Sequence, residues 1–267
     1  MKKILIIGAS SYIGNAFEKY IMNKYALYKE KQLEDGLIID KVHASNGDWK
    51  NVNYEKYEVV IILAAVVHQK ETDDMAELYQ KVNCDMPIEI ATKAKKAGVK
   101  QLVFVSTAAV YGSSVVHITK DTVPNPDTMY GKSKLEAENK LKQMDTDEFR
   151  VAIIRPPMVY GQDCKGNYTR LVKLATYNPV YPKIHNKRSM IHIDNLCIYI
   201  EDIIQNGSSG TFFPQDEAYA DTIMIIKRIR ENQGKVTFLV PGTAWLVKVA
   251  MKRVGVLRKM FGDWYYE

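Results

Sequence analysis

Short apolar runs rich in β-branched residues recur through the first part of the chain: Ile4-Leu-Ile-Ile7, Glu58 to Ala65, Gln101 to Ser106 and Val151 to Ile154. Each is too short for a typical globular helix and apolar on both faces, as strands inside a parallel sheet must be. Between them the apolar positions switch to helical spacing. Ile13, Phe17, Tyr20 and Ile21 follow the first run, and Ile88, Ile90, Ala91, Ala94 and Ala97 lead to a stop at Gly98. Leu37 to His43 is the expected second strand. Strands alternating with helices at this interval predict an α/β fold with a doubly wound parallel sheet.

Beyond Gly161 the pattern loosens. Lys165-Gly-Asn-Tyr168 and Pro179 to Arg188 read as basic loops, and Met190 to Leu196 as a strand entering a helix capped by Asn195. The tail from Ala244 to Phe261 sets Leu246, Val249, Ala250, Val254, Leu257 and Phe261 near one helical face, with five Lys and Arg residues interspersed. Such a helix either docks on the C-terminal part of the fold, the preferred reading, or lies on a membrane surface.

The first run is followed by Gly8-Ala-Ser-Ser-Tyr-Ile-Gly14 and then by the first helix. Strand, glycine turn and helix in that order build a diphosphate cradle. The first glycine permits the tight turn, the last lets helix pack on strand, and the helix N-terminus offers N–H groups to an anion. Ser10, Ser11, Tyr12 and Ile13 would line that cradle, with Ser11 where a middle glycine is usual. A carboxylate at the end of the second strand would hold an adenosine ribose and favour NAD. His43 stands there instead, with Asp40 three residues earlier, so cofactor choice stays open. Asp48 and Trp49 could bond and cover the adenine, or serve only as a turn cap and an anchor. Leu63, Ala64 and Ala65 end their strand in small residues that leave room for a cofactor. The expected organisation is a dinucleotide-binding core over 1–160, rejoined by 190–213, and a smaller substrate-binding lobe from 161–189 and 214–267.

At 267 residues, with 46% hydrophobic and 25% charged residues, the chain has an ordinary globular composition. Its net charge of +6 is mild and suits an anionic substrate. No basic stripe interleaved with aromatics speaks for nucleic acid. Cys84, Cys164 and Cys197 and the five histidines have no metal-ligand spacing, and free thiols fit a reducing cytosol. No apolar run approaches the length of a membrane span, and the first one is too short for a signal peptide.

The chemistry concentrates at Tyr130-Gly-Lys-Ser-Lys134 and at Val105-Ser106-Thr107. Tyr130 and Lys134 are four residues apart and share a helix face. An ammonium beside a phenol favours the phenolate and pulls its pKa of about 10 toward neutrality. Ser106 and Thr107 end a buried strand at its carboxyl end, where open α/β sheets bind ligands. Hydroxyl, phenol and lysine converging there could move a proton on and off an alcohol oxygen while a hydride leaves or returns.

Together these pieces resemble the NAD-dependent epimerase/dehydratase family of extended short-chain dehydrogenase/reductases. The resemblance rests on Gly8-x-x-Ser11-x-x-Gly14, Leu63-Ala-Ala65, Asn83, Val105-Ser-Thr-Ala-Ala-Val-Tyr-Gly112, Tyr130-x-x-x-Lys134, Arg155-Pro156 and Arg188-Ser-Met-Ile-His-Ile-Asp194, and spans residues 1 to about 215. It implies a Rossmann core with a small C-terminal substrate-binding lobe. Tyr130 would be the acid/base, Thr107 its partner on the substrate, and Lys134 would hold the nicotinamide ribose and lower the phenol pKa. Ser106, Asn83 and Pro156 would lie by the cofactor, and Arg188 would clamp a sugar-nucleotide diphosphate. Ala108-Ala109 replaces the Asp-Glu pair of dehydratases, so dehydration is not expected. Met158 stands where many epimerases have a substrate-touching Asn, and Asn167 is the candidate substitute. The implied activity is a cytoplasmic nucleotide-sugar 4-epimerase with NAD, or NADP, acting on a UDP-sugar first and serving surface polysaccharide synthesis. An NADPH-dependent 4-ketoreductase is the alternative, and a non-catalytic dinucleotide sensor the alternative of another class. A homodimer through the helices at 86–97 and 132–144 is also implied.

Overall fold

A computed structural model of the chain describes all residues except 31–35, 68–71, 73–74 and 165; at 26–30, 167 and 256 it describes the backbone alone. The first half runs through β1 (Lys2–Ile7), α1 (Tyr12–Glu30), β2 (Leu37–Val42), β3 (Val59–Ile62), α2 (Ala76–Gln80), a π turn (Lys81–Asp85), α3 (Met86–Lys96), β4 (Gln101–Val105), β5 (His117–Ile118) and α4 (Met129–Lys142). Next come β6 (Arg150–Ile154), β7 (Met158–Tyr160), α5 (Asn167–Tyr177), β8 (Val180–Pro182), β9 (Met190–His192), α6 (Ile193–Gln205) and β10 (Gly210–Phe212). The chain ends through α7 (Thr222–Asn232), β11 (Phe238–Val240), α8 (Ala244–Met251), α9 (Gly255–Phe261) and β12 (Tyr265–Tyr266).

Six strands form the central sheet in the order β10-β6-β4-β3-β1-β2, and every pairing is parallel. This is the doubly wound, Rossmann-type sheet expected from the alternation of apolar runs and helices. Both of its faces are covered. On one, Phe17 and Ile21 of α1 and Leu196, Ile200 and Ile203 of α6 pack on Ile4, Ile6 and Val103. On the other, Ile90, Ala91 and Ala94 of α3 and Ala137 and Leu141 of α4 pack on Leu5, Ile7, Val60 and Phe104. Fully burying one such aliphatic side chain contributes about 1.5–3 kcal/mol. β1 lies between β2 and β3, so successive crossovers leave it in opposite directions. The crevice this reversal opens at the carboxyl ends of β1 and β3 is where such sheets bind ligands.

A separate apolar cluster unites Leu171 and Ala175 of α5, Tyr181 of β8, Ile184, Ile223 and Ile226 of α7, and Phe261 of α9. Three local readings change here. The tail from Ala244 to Phe261 is two helices, because Val254 adopts an extended backbone (φ −110°, ψ 98°) that breaks the ladder between α8 and α9. The cap of α6 is His192, whose ring accepts from the Asp194 N–H, while the Asn195 amide donates to Asp216 (2.7 Å). Tyr265–Tyr266, expected in the lobe, pair with β5 as β12, and Tyr266 packs with Ala108, Val110 and Tyr111 beside the core. Among the described residues no helix is long and apolar enough to cross a membrane.

Candidate active site

A cavity of about 2420 Å³ opens along the carboxyl ends of β1, β3 and β4 and continues to the C-terminal cluster. At one end is the glycine turn. Gly8 has φ +117°, and a Cβ there would come within 2.9 Å of the Ala64 nitrogen, so only glycine lets the turn after β1 approach the end of β3. Ser11 is the N-cap of α1, its Oγ accepting from the Gly14 N–H (3.0 Å). A Cβ at Gly14 would meet that oxygen at 2.5 Å and Leu63 Cδ1 at 3.1 Å. Gly14 therefore acts as a packing glycine, and it is not among the residues that line the cavity. Gly8, Ser10, Ser11, Tyr12 and Ile13 do line it. The cradle that glycine alone permits, capped by a helix start, fits a dinucleotide diphosphate. Tyr12 also donates to the Gln162 carbonyl (2.9 Å), and burial pushes its phenol up to about 12.

Past β2, His43 lines the cavity, followed by Ala44, Ser45 and Gly47. Asp40 does not, because its carboxylate accepts from the Tyr57 hydroxyl (2.9 Å) and pairs with Lys3 (3.2 Å), which hold it below the usual carboxylate range. Asp48 is also absent from the wall; it accepts from the Asn46 amide and acts within its own turn. Trp49 both lines the cavity and packs into the core with Leu5 and Tyr54. Leu63, Ala64 and Ala65 form the next stretch of wall. Asn83 is buried in the π turn and does not reach the cavity. Its side chain grips both backbone groups of Val66 (2.8 and 3.1 Å) and bonds Ser133 Oγ (3.2 Å), so it positions the wall after β3.

At the end of β4 the two hydroxyls part. Ser106 lines the cavity, yet its Oγ donates to Glu138, a fully buried carboxylate also gripped by the Arg155 guanidinium. Thr107 Oγ1 accepts from the Ala109 N–H (3.1 Å), and the Thr107 hydroxyl hydrogen-bonds Tyr130. Both residues face the cavity. Burial pushes the Tyr130 phenol up to about 12 against the opposing pull of that hydrogen bond. Lys134 is 1% exposed and absent from the wall; its Nζ donates to the Val105 carbonyl (2.7 Å) and sits 3.8 Å from the Phe104 ring centre. Burial pulls the amine down to about 7, with Glu138 opposing. The expectation that Lys134 would lower the phenol pKa thus gives way to desolvation. Helical spacing put the two residues on one face, but burial drives each toward its neutral form.

The far wall carries Pro156, Met158 and Arg188. Arg188 Nη1 donates to the carbonyls of Lys259 (2.8 Å) and Gly262 (3.2 Å), at the carboxyl end of α9. Asn167 opens α5, and its side chain lies outside the described residues. The sequence reading missed Arg170, Lys252, Arg258 and Lys259, which join Arg188 in a cationic wall. Three of them were read as the polar side of one tail helix, and the break at Val254 brings both short helices to the cavity.

Residues 4–211 match the model of the NAD dependent epimerase/dehydratase family. The chain belongs to that family. Across 95% of its length it is 29% identical to a UDP-glucose 4-epimerase of Vibrio cholerae, covering 83% of that protein. It is also 29% identical to an N-acetyl-α-D-glucosaminyl-diphospho-ditrans,octacis-undecaprenol 4-epimerase of Escherichia coli O157:H7, over 58% of this chain and 47% of that one. Among solved structures, a dTDP-4-dehydrorhamnose reductase of Clostridium acetobutylicum superposes with a TM-score of 0.72 at 22% identity, over 90% of this chain and 83% of that one. That likeness speaks for the shared fold. As a member of this epimerase/dehydratase family, the chain is an NAD(P)-dependent enzyme of nucleotide-sugar type.

Proposed function

We propose that the protein is a 4-epimerase of sugars carried on a diphosphate, with a UDP-sugar as the first candidate. The observation that carries this reading is the Thr107–Tyr130 pair sharing one cavity with the Gly8–Ile13 turn and the Arg188 wall. The turn and Ser11 fit the diphosphate of NAD or NADP. A nicotinamide ring held there would supply hydride acceptance and return, and its positive charge would favour the Tyr130 phenolate. Tyr130 takes the proton of the sugar hydroxyl as the carbon–hydrogen bond breaks, and gives it back when the keto sugar is reduced on its other face. Thr107 holds the same oxygen. Arg188, Arg170 and Lys252 face the substrate diphosphate, a group that both the nucleotide-linked and the polyprenol-linked substrates of the relatives share.

Two observations favour the 4-ketoreductase as a second reading. A phenol held near 12 is an acid, which is all that a reductase needs, and no carboxylate stands at the end of β2 to prefer NAD. The test is to identify the cofactor released on denaturation by mass spectrometry and to follow UDP-hexoses by NMR. An epimerase releases NAD and interconverts C4 epimers without added reductant. The Tyr130→Phe variant keeps its cofactor and loses about 10²–10⁴ in turnover. Net reduction that consumes NADPH selects the second reading, and a protein that binds neither cofactor sinks both.

A further inference from the structure

The outer surface of α8 presents several large apolar side chains to solvent. Ala244, Val247 and Met251 turn inward to the C-terminal cluster, while Trp245, Leu246 and Val249 are 63, 51 and 56% exposed. A second apolar surface adjoins through the turn 241–243. Leu239 packs inward, so Phe238 and Val240 face outward with Val180, which is in register with Phe238 across the β8–β11 pair. Lys248 and Arg253 of the same stretch lie outside the cavity wall, and no acidic residue occurs from Ala244 to Gly262. Exposed apolar side chains grouped in this way mark an interaction site.

We propose that this face docks on an anionic phospholipid bilayer, with α8 lying in the plane of the headgroups. Charge complementarity selects that occupant. A tryptophan flanked by leucine and valine suits the boundary between headgroup and acyl chain, and the lysine and arginine rim suits lipid phosphates. A second copy of the chain on a twofold axis would set the same cationic rim against itself, which costs energy. With eight residues α8 is far too short to span a bilayer, so the contact is peripheral. Met251, Lys252, Arg258 and Lys259 of the same helices and their junction also line the cavity, so docking would open the substrate site at the lipid surface. This placement rests on α8 and its neighbours and holds whether the enzyme is an epimerase or a reductase.

The test is co-sedimentation of the full chain with vesicles of phosphatidylcholine alone and with 30% phosphatidylglycerol, at roughly 0.1 M salt. The protein is expected to bind the anionic vesicles at least tenfold more tightly. Two variants avoid every cavity residue: Trp245→Ser with Val249→Ser, and Lys248→Glu with Arg253→Glu. Each should lower binding at least tenfold while keeping the thermal midpoint and cofactor content of the parent. Absence of binding to anionic vesicles, or equal binding to both kinds, overturns the proposal. So does a lipid-free dimer that the Trp245 and Val249 changes convert to monomer, since a second copy would then be the occupant.

Discussion

The central sheet and the C-terminal cluster are held together by different means. In the sheet, Ile4 to Ile7, Leu102 to Phe104 and Ala152 to Ile154 are fully buried, because helices cover both faces of parallel strands. In the C-terminal cluster the strands have three residues each, and side chains bonded to backbone carbonyls do much of the joining. The Arg230 guanidinium donates to Ala175, Asn178 and Val236, and the Asn186 amide to Met260 and Gly262. Short segments tied in this way cannot cover all of their apolar side chains, and α8 is where the remainder surfaces. The sheet thus supplies a rigid floor for Tyr130 and the glycine turn, while the cluster supplies a cationic wall and an outward apolar face.

Breaking the buried charge pair beneath the site should have the largest effect. Glu138→Ala leaves Arg155 and Ser106 without their carboxylate and is expected to cost about 3–5 kcal/mol, read as a lower urea midpoint for the whole chain. A loss under about 1 kcal/mol would mean that the pair is dispensable to the sheet.

Lys134 adds a pH signature to the same region. Its amine titrates near 7 in the fold against 10.5 for a free lysine. The unfolded chain therefore binds the extra proton between those values. Stability from this residue is lowest below pH 7 and rises as pH climbs toward 10.5, by at most about 1.4 kcal/mol per pH unit. Lys134→Met should flatten the difference between urea midpoints at pH 7 and pH 9.5; an unaltered difference would assign the trend to other groups.

The smallest effect is expected on the other side of the comparison. Asn186→Ala leaves the Thr222 N–H without its acceptor and removes one of the two donors to the Gly262 carbonyl, and should cost about 1–3 kcal/mol. Hydrogen exchange should quicken in α7 and α9 while β1, β3 and β4 keep their protection. Equal quickening in the sheet would show that the two regions open as one unit.

The sheet, the glycine turn and the helix that carries Tyr130 were legible because their signals are local. A β-branched run of buried length specifies a strand, Gly8 follows the first of them, and Tyr130 sits on a helix that Thr128 caps. Spacing was least informative where a side chain's contacts come from far along the chain. Lys134 carries the expected spacing, yet its contact is the Val105 carbonyl and its environment is dry. Asn83 carries a motif position, but its amide is used on Val66. Asp40 lies near the right place in its strand and is committed to Lys3 and Tyr57.

By itself the sequence determined the alternation of strands and helices and the glycine turn after β1. Periodicity and glycine act over a few residues, so these features need no partner. Tertiary structure alone decided which groups are dry and which reach the cavity. It paired β12 with β5, broke the tail at Val254, and brought Arg170, Lys252, Arg258 and Lys259 to the cavity that Arg188 lines. Burial and long-range contact set ionisation and reach, and neither is written in the spacing of neighbouring residues.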